Sequence, residues 1–285
     1  MVDEKYLQYV QKLGSGTHGN VYLLKTKDKQ PKFLVCKTIS LKNLKYAEKE
    51  IKILHKIHHQ RIISFYHSIE KKHGKYIYME YANYGDLEKL IKFLSKKNLR
   101  IQRNISWSIF AQIVDGLEYL QSKKILHRDI KPANILLSRF FNRNRILILI
   151  KIADFSLSKI MDEKNIHDNI IVGTPYYMAP EIIKKEKYDY SIDIWSTGVL
   201  MYELIALERP FEAETKMELR RLIVHQKIED VPKCSDDYLK QTILDCLKKE
   251  NRITAKQMKN NRIHSLYINK NNKNIQWFKQ ERILE

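Results

Sequence analysis

The sequence predicts an α+β fold of two lobes, a small β-rich lobe with one helix and a larger, mainly α-helical lobe. Strand-like alternation fills most of the first 80 or so residues, and helical periodicity dominates after Gly85. Three of the chain's eight glycines also lie within six residues near its start. We expect three units, residues 1–82, residues 83–268 and a tail at residues 269–285.

The small lobe is predicted from segments whose apolar residues recur at alternate positions, as in strands. One segment instead has apolar residues at 51, 53, 54 and 57, which suits a helix. The predicted strands flank and follow the glycine cluster, at 9–13, 20–27, 32–39 and 75–82, and the predicted helix is 47–57.

The large lobe is predicted from longer segments with helical spacing of apolar residues. One of them, 193–207, is apolar nearly all round, so we expect a buried helix there. The run ILILI at 146–150 is interpreted as a buried strand. The predicted helices are 86–94, 105–123, 193–207 and 236–249.

The composition is typical of a soluble globular protein, with 44% hydrophobic and 30% charged residues. No stretch reaches the roughly 18 uninterrupted apolar residues that a membrane helix needs. The segment MVDEKYLQYV has no apolar core of the signal-peptide kind, and the three cysteines fit no disulfide framework. We therefore expect no membrane association and an intracellular location, the cytoplasm or alternatively the nucleus.

The net charge of +19 has two interpretations. One is a surface for nucleic acid, anionic lipid or acidic proteins. The other is a compositional bias, since the basic residues are spread along the chain. We favour the second, so nucleic acid is not a predicted partner.

The first motif that carries chemistry is GSGTHG at residues 14–19. Glycines let a backbone approach phosphate groups closely. A dinucleotide-binding fold uses the same spacing, but it needs the third glycine to begin a helix. Strand-like residues continue on both sides here, so a hairpin that covers phosphates is the better prediction.

Lys37 lies in a predicted strand between apolar neighbours, where a charge needs a partner. Glu50, on the following helix, is the better candidate because the apolar run IKIL follows it. Glu48 is the alternative.

The segment LHRDIKPANILL, residues 126–137, places polar residues between apolar flanks that a surface loop would not need. Asp129 can accept a proton from a hydroxyl group, and Lys131 can neutralise a transferring phosphoryl group. Asn134 can offer an amide oxygen to a hard cation. Asp154, twenty residues later and after an apolar strand, is a second candidate metal ligand.

Taken in order, these motifs resemble the signature set of the eukaryotic-type serine/threonine protein kinases. The resemblance covers about residues 8–268 and rests on GSGTHGNV, Lys37, HRDIKPAN at 127–134, Asp154-Phe155 and Ala179-Pro180-Glu181. Within that family, GTPYYMAPEII and SIDIWSTGVLMYELIALERPFEA are similar to the NIMA-related kinases. The resemblance implies a two-lobed kinase fold, ATP as a cofactor and protein substrates with serine or threonine hydroxyls.

The resemblance also implies roles for the candidate catalytic residues. Asp129 would orient the substrate hydroxyl, and Lys37, paired with Glu50, would hold the α- and β-phosphates. Asn134 and Asp154 would hold Mg²⁺, with Mn²⁺ as an alternative. Lys131 resembles the serine/threonine class rather than the tyrosine class, and Thr174 would contact both Asp129 and Lys131.

Further residues are expected around the nucleotide and behind the catalytic loop. Met79 would close the back of the adenine pocket, and the backbone of Glu80 and Ala82 would hydrogen-bond adenine. Asp193 would anchor the catalytic loop, and Arg252 would pair with Glu181. The residues expected to bind ATP are Leu13, Gly14, Ser15, Gly16, Gly19, Val21, Val35, Lys37, Met79, Glu80, Ala82 and Leu136.

Ser156 departs from the family pattern because it replaces the glycine that usually follows Asp-Phe. A Cβ removes backbone freedom but leaves Asp154 as a metal ligand. One interpretation is that Ser156 leaves ATP binding intact and disfavours an inactive flip of Phe155. The other is that the replacement is neutral.

The activation loop is a second departure. Arg128 usually meets a phosphate on this loop, yet between Leu157 and Gly173 the sequence has a single hydroxyl, Ser158, close to Asp154. We expect that loop phosphorylation is not needed, and that a carboxylate of Asp162, Glu163 or Asp168 is a weaker partner of Arg128. A solvated loop is the alternative.

The thirteen-residue separation of Lys37 and Glu50 is a third departure, which indicates a trimmed connection before Glu50. The predicted function remains a serine/threonine protein kinase, and the alternative is a pseudokinase that acts as a nucleotide-binding scaffold. Asp86 and Glu88, near the expected peptide entrance, indicate tolerance for basic substrates. No oligomeric state is predicted.

Overall fold

The structure is a computed structural model that describes residues 4–16, 19–27, 31–142, 145–161 and 171–260. The predicted α+β architecture of two lobes is confirmed. Apolar side chains from both lobes form one continuous core, and a smaller cluster around Leu34, Cys36 and Tyr78 covers the outer face of the N-terminal sheet. No helix in the described part of the chain is long and apolar enough to cross a membrane.

The small lobe is a five-stranded antiparallel sheet with one α-helix. Its strands lie in the order β1-β2-β3-β5-β4, so the last two strands are exchanged relative to the chain order. They are β1 (Leu7–Gly16), β2 (Gly19–Thr26), β3 (Phe33–Ser40), β4 (Phe65–Lys71) and β5 (Gly74–Glu80), and the helix α1 is Leu44–Leu54.

One strand of this lobe was missed, and one prediction is corrected. The strand β4 was not predicted from the sequence, because its polar residues hide the alternation. The predicted helix 47–57 begins earlier and ends at Leu54. Ile57 is buried in the loop that follows the helix, so its apolar side chain does not belong to the helix face. The ring of His55 packs edge-on against that of Phe65, with their centres 4.6 Å apart.

The large lobe is mainly helical. Its longer helices are α2 (Leu87–Lys97), α3 (Arg103–Ser122), α5 (Ser191–Ala206), α6 (Lys216–His225) and α7 (Asp237–Cys246), and its short ones are α4 (Pro180–Ile183) and α8 (Ala255–Lys259). Two small sheets accompany them, β6 (Ile125–Leu126) with β9 (Lys159–Ile160) and β7 (Ile135–Asn142) with β8 (Arg145–Ile152).

The buried character predicted for α5 is confirmed, since every residue from 192 to 206 is buried. Gly198 lets α7 approach this helix closely, because a Cβ there would lie 2.7 Å from the Cβ of Cys246. The predicted helix 236–249 ends three residues early, at Cys246. The helix α6 and the strand β7 were not predicted.

The hairpin of β7 and β8 fixes the floor of the space between the lobes. Leu137 exchanges backbone hydrogen bonds with Tyr84 and Gly85, at 2.9 and 2.8 Å. At the base of β8, Ile152 donates to the carbonyl of Arg61 at 2.8 Å and accepts from Ile63 at 3.0 Å. The hairpin is therefore held between the segment that connects the lobes and the loop after α1.

Candidate active site

A cleft of about 550 Å³ lies between the small sheet and the β7–β8 hairpin, a volume typical of small-molecule sites. Most of the predicted binding residues line it together, although they come from six separate parts of the chain. Those that line the cleft are Leu13, Gly14, Gly19, Val21, Val35, Lys37, Glu50, Met79, Glu80, Ala82, Lys131, Asn134, Leu136 and Asp154.

The glycine motif forms the turn-side ends of β1 and β2, as a hairpin. Ser15 pairs with Asn20, and Gly16 pairs with Gly19. Gly19 has a φ of +145°, and a Cβ there would lie 2.0 Å from the carbonyl oxygen of Thr38. Only glycine fits this position, whereas Gly14 has no heavy atom within 4 Å of the position of a Cβ.

Ala82 leaves backbone polar groups available at the cleft. It is buried, yet neither its N–H nor its carbonyl makes a hydrogen bond within the described residues. A buried backbone donor and acceptor without partners are uncommon in folded proteins. Their position at the cleft wall suits a planar ligand with its own donor and acceptor.

Lys37 and Glu50 meet in the cleft. Lys37 Nζ lies 2.7 and 2.9 Å from the two carboxylate oxygens of Glu50, and 2.9 Å from Asp154 Oδ1. Glu48, the alternative partner, is exposed. The separation of thirteen residues suffices because a three-residue turn, Leu41–Asn43, leads from β3 directly into α1.

The charges of this cluster reinforce one another. Burial by itself would lower the pKa of the Lys37 ammonium, but Glu50 and Asp154 outweigh it, so the pKa is raised above its usual value. Burial likewise would raise the pKa of the Asp154 carboxyl, but Lys37 holds that pKa well below its usual range. Both groups are therefore ionised at neutral pH.

Asp129 is held by donors on both carboxylate oxygens. Oδ1 accepts hydrogen bonds from the hydroxyl and backbone N–H of Thr174, at 2.9 and 3.2 Å. Oδ2 accepts from Asn134 Nδ2 at 2.9 Å and lies 2.7 Å from Lys131 Nζ. Lys131 also donates to the Thr174 hydroxyl at 2.9 Å, which closes a network among these side chains.

The loop that carries Asp129 is anchored from below. The carboxylate of Asp193 accepts hydrogen bonds from the backbone N–H groups of His127 and Arg128, at 2.8 and 2.9 Å, which confirms the anchoring expected of Asp193. Arg128 and Asp154 both have positive φ, 67° and 64°. Such strained residues persist only where the surrounding structure holds them, and they cluster at functional sites.

Ser156 fits its position without backbone strain. It is buried, it is not among the positive-φ residues, and its N–H lies 3.4 Å from Asp154 Oδ1. The neighbouring Phe155 is 1% exposed and meets the His127 ring edge-on at 4.9 Å. The Cβ of Ser156 is thus compatible with a packed Phe155.

Part of the surroundings of Arg128 lies within the described residues. Its Nε donates to the carbonyl of Leu157 at 2.7 Å, and its Nη1 donates to the Tyr188 hydroxyl at 3.2 Å. Ser158 is fully buried and donates to the carbonyl of His127 at 3.1 Å. The three carboxylates expected near Arg128, those of Asp162, Glu163 and Asp168, lie outside the described residues.

Glu181 and Arg252 form the expected pair. Arg252 Nη1 and Nη2 donate to the two carboxylate oxygens of Glu181, at 2.7 and 3.2 Å.

Near the expected peptide entrance, the Asp86 carboxylate accepts a hydrogen bond from the backbone N–H of Lys89 at the start of α2, and the Glu88 carboxylate lies 3.0 Å from Lys92 Nζ.

One ion pair at the cleft was missed. Lys151 Nζ lies 2.9 Å from Glu80 Oε2, and that oxygen also accepts the backbone N–H of Ser64 at 3.1 Å. Lys151 interrupts the apolar segment ILILIKIA, so the reasoning applied to Lys37 would have pointed to a buried partner. The partner itself, more than 70 residues earlier, has no local signal.

Comparisons with known proteins agree with this geometry. A family model described as "Protein kinase domain" matches residues 7–263. The chain is 36% identical over 241 residues to a protein of Dictyostelium discoideum named "Probable serine/threonine-protein kinase nek2", covering 81% of this chain and 56% of that protein. It is 33% identical to the "G2-specific protein kinase nimA" of Emericella nidulans, covering 86% and 38%.

A human protein named "Serine/threonine-protein kinase ULK1" is 32% identical, with 84% of this chain and 23% of that protein covered. The chain thus spans little more than half of the length of the first of these relatives, and less of the others.

Proposed function

This chain belongs to the protein kinase family, and from that premise we propose that it transfers the γ-phosphate of ATP to serine and threonine hydroxyls of proteins. The observation that carries the proposal is the network around Asp129, in which Thr174, Lys131 and Asn134 orient one carboxylate. The names of the relatives, which are serine/threonine kinases, support the same class of acceptor.

The cleft suits ATP at both of its ends. Ala82 offers an unpaired N–H and carbonyl for the edge of adenine, between Val35 and Leu136. The glycine hairpin lies over the other end, where Lys37 would meet the α- and β-phosphates. Glu50 holds the Lys37 ammonium in place and ionised, so that its charge is directed into the cleft.

The donor set also suits a divalent cation. Asp154 supplies a carboxylate, and Asn134 uses Nδ2 on Asp129, with no donor to its Oδ1 among the described residues. Oxygen ligands of this kind, completed by phosphate and water, are typical of Mg²⁺. Mg²⁺, or alternatively Mn²⁺, would neutralise charge on the transferring phosphate.

Asp129 would position the acceptor hydroxyl and accept its proton. Thr174 and Lys131 hold both of its oxygens in one orientation. Lys131 would also supply a positive charge beside the transferring phosphate. The backbone N–H groups of His127 and Arg128 donate to the Asp193 carboxylate and so keep this loop from shifting, which matters because small misplacements of a reacting group are costly in rate.

We further propose that the activation segment needs no phosphorylation. Ser158, the single hydroxyl between Leu157 and Gly173, is fully buried and is not accessible to another kinase. Arg128 is held by the Leu157 carbonyl and the Tyr188 hydroxyl. A carboxylate of Asp162, Glu163 or Asp168 would complete its surroundings.

The test of the function is transfer of labelled phosphate from ATP and Mg²⁺ to a generic basic protein. We expect transfer by the wild-type chain, and loss of at least about a hundredfold in Asp129→Asn and Asp154→Ala, because each removes a charge at the reacting centre. Glu229→Ala, which removes a carboxylate that is 76% exposed, is the matched control and should stay active.

The pseudokinase alternative makes the opposite prediction. If calorimetry shows ATP binding while the wild-type chain transfers no phosphate, the chain is a nucleotide-binding scaffold. Loss of transfer in Glu229→Ala as well would mean that the assay reports stability rather than chemistry.

A further inference from the structure

Arg209 lies in the loop after α5 and contacts the turn that follows Thr174. Its guanidinium stacks over the ring of Tyr176, 4.3 Å from the ring centre. Its Nε lies 3.3 Å from Glu203 Oε1, and its Nη1 lies 3.8 Å from Glu212 Oε1. None of these contacts is used in the reaction described above.

The turn places Arg209 close to the acceptor position. It runs Pro175–Tyr177 and begins directly after Thr174, whose hydroxyl lies 2.9 Å from the Asp129 carboxylate. The Cα atoms of Thr174 and Tyr176 are at most about 7.6 Å apart, because consecutive Cα atoms lie about 3.8 Å apart. An acceptor held at Asp129 therefore has its neighbouring residues within reach of the Tyr176 ring and of Arg209.

Glu203 is the charge that Arg209 covers. The Glu203 carboxylate is largely buried on α5, where its Oε2 accepts a hydrogen bond from the hydroxyl of Tyr177. Burial and the Glu203 charge raise the pKa of Tyr177 far above its usual range, so this hydroxyl stays protonated and donates. The Glu203 side chain is 12% exposed and that of Arg209 is 32% exposed, so the cation lies on the solvent side of the pair.

A carboxylate without this cation would favour basic side chains in the substrate. A partly buried charge beside a binding site attracts the opposite charge more strongly than a solvated one does. Glu212, at 64% exposure, is a weaker attractor because water and salt screen it. Because Arg209 neutralises Glu203, the stronger of the two carboxylates no longer attracts a basic side chain of the substrate, and only the weaker Glu212 does.

We propose that Arg209 is a specificity-determining residue, which neutralises Glu203 and thereby keeps the enzyme from selecting Lys or Arg at a substrate position near the acceptor. This inference rests on the proposed kinase function. Arg209 acts here through Glu203, so it is a positioning residue for charge rather than a catalytic residue.

The test is a set of serine peptides in which Ala, Arg or Glu occupies each position from five before to five after the acceptor. The wild-type chain should treat Arg and Ala alike, within about twofold in kcat/KM, at the position that faces Arg209. Arg209→Met should raise kcat/KM for Arg over Ala at that one position by about fivefold. The gain should appear in KM rather than kcat, because the reacting groups are unchanged.

Two further variants separate charge from packing. Arg209→Lys keeps the cation and should behave as the wild type. Glu203→Gln combined with Arg209→Met should lose the gain, since the carboxylate is then absent. A wild-type preference for Arg of fivefold or more at that position, or an equal gain in the single and double variants, would overturn the proposal.

Failure of the kinase function is read separately, from the turnover of the all-Ala reference peptide by the wild-type chain. If that peptide is not phosphorylated, fluorescence anisotropy of the same labelled peptides measures their affinities directly. A fivefold higher affinity of Arg209→Met for the Arg peptide than for the Ala peptide supports the role of Arg209. Equal affinities of Arg209→Met for the two peptides refute it.

Discussion

At the residue scale, the ionised cluster of Lys37, Glu50 and Asp154 governs how the cleft responds to pH. The folded-state pKa of Asp154 is depressed, so its stabilising effect is present above the unfolded value of about 3.9 and is lost as pH falls toward the folded value. The pKa of Lys37 is raised, so its contribution is full below about 10.4 and is lost as pH rises beyond that. The cluster is intact across the neutral range.

The first prediction concerns Asp154→Asn. At pH 7 this variant should be less stable than the wild type, because Lys37 loses one of two anionic partners. The difference should shrink at pH 3, where the wild-type carboxyl begins to lose its advantage over the unfolded state. Urea unfolding of both proteins at the two pH values measures it, and a difference that is equal at pH 7 and pH 3 would contradict the assignment.

The second prediction concerns Ser156, whose Cβ we propose to restrain Phe155. Ser156→Gly should leave ATP affinity within about twofold and raise affinity for inhibitors that require Phe155 to leave its pocket by about threefold, since glycine widens the accessible backbone. Ser156→Ala is the matched control, because it keeps the Cβ and should match the wild type. Unchanged inhibitor affinity in Ser156→Gly would leave Ser156 as a neutral replacement.

At the element scale, the close approach of α5 and α7 depends on Gly198. The third prediction is that Gly198→Ala lowers the free energy of unfolding by about 1–3 kcal/mol, because the new methyl group would lie 2.7 Å from Cys246 Cβ and 3.1 Å from Leu247. The melting temperature of Gly198→Ala should therefore be several degrees lower than that of the wild type.

Gly14→Ala serves as the control for that prediction. A Cβ at Gly14 has no neighbour within 4 Å, so its stability should match the wild type. The same variant should weaken ATP binding, because the methyl group would lie where the hairpin covers the phosphates. Equal melting temperatures for Gly198→Ala and Gly14→Ala would show that α5 and α7 can separate without cost.

At the scale of the whole molecule, the small lobe brings the paired Lys37 and Glu50 to the cleft, and the large lobe brings the network around Asp129. The ion pair of Lys37 with Asp154, at 2.9 Å, joins the two lobes. Arg128, next to Asp129, donates to the Leu157 carbonyl at the start of the activation loop and to the Tyr188 hydroxyl beyond the end of that loop. Both acceptors are oxygens of the chain itself, so these two contacts of Arg128 do not depend on a phosphate on the loop.

The fourth prediction follows from this arrangement. Exhaustive phosphatase treatment should leave the rate of phosphate transfer within about twofold, because Ser158 is buried and the loop offers no other hydroxyl between Leu157 and Gly173. Mass spectrometry verifies that no phosphate remains, and a kinase that requires loop phosphorylation is treated in parallel. Loss of activity with retained melting temperature would refute the proposal.

The sequence by itself determined the family, the order of the motifs and the buried character of α5. The family followed from the resemblance of the ordered motifs to those of known kinases. The burial of α5 followed from periodicity, because a helix that is apolar all round has to be buried. The choice of Glu50 over Glu48 also came from periodicity, since the apolar run that follows Glu50 indicates the core-facing side. The strands β4 and β7 escaped detection because their polar residues break the alternation that marks a half-buried strand.

Only the tertiary structure decided which distant groups share one space. Lys151 pairs with Glu80 on another strand, and Arg209 pairs with Glu203, and neither pair was expected from the sequence. The backbone of Ala82 was expected at the nucleotide only through the family resemblance, because hydrogen bonding of a backbone group depends on what packs beside it rather than on its residue type. The local spacing of apolar residues specifies the helices and strands. The burial of polar groups and the pairing of charges depend on residues that are distant in the sequence, so they take effect once the chain has folded.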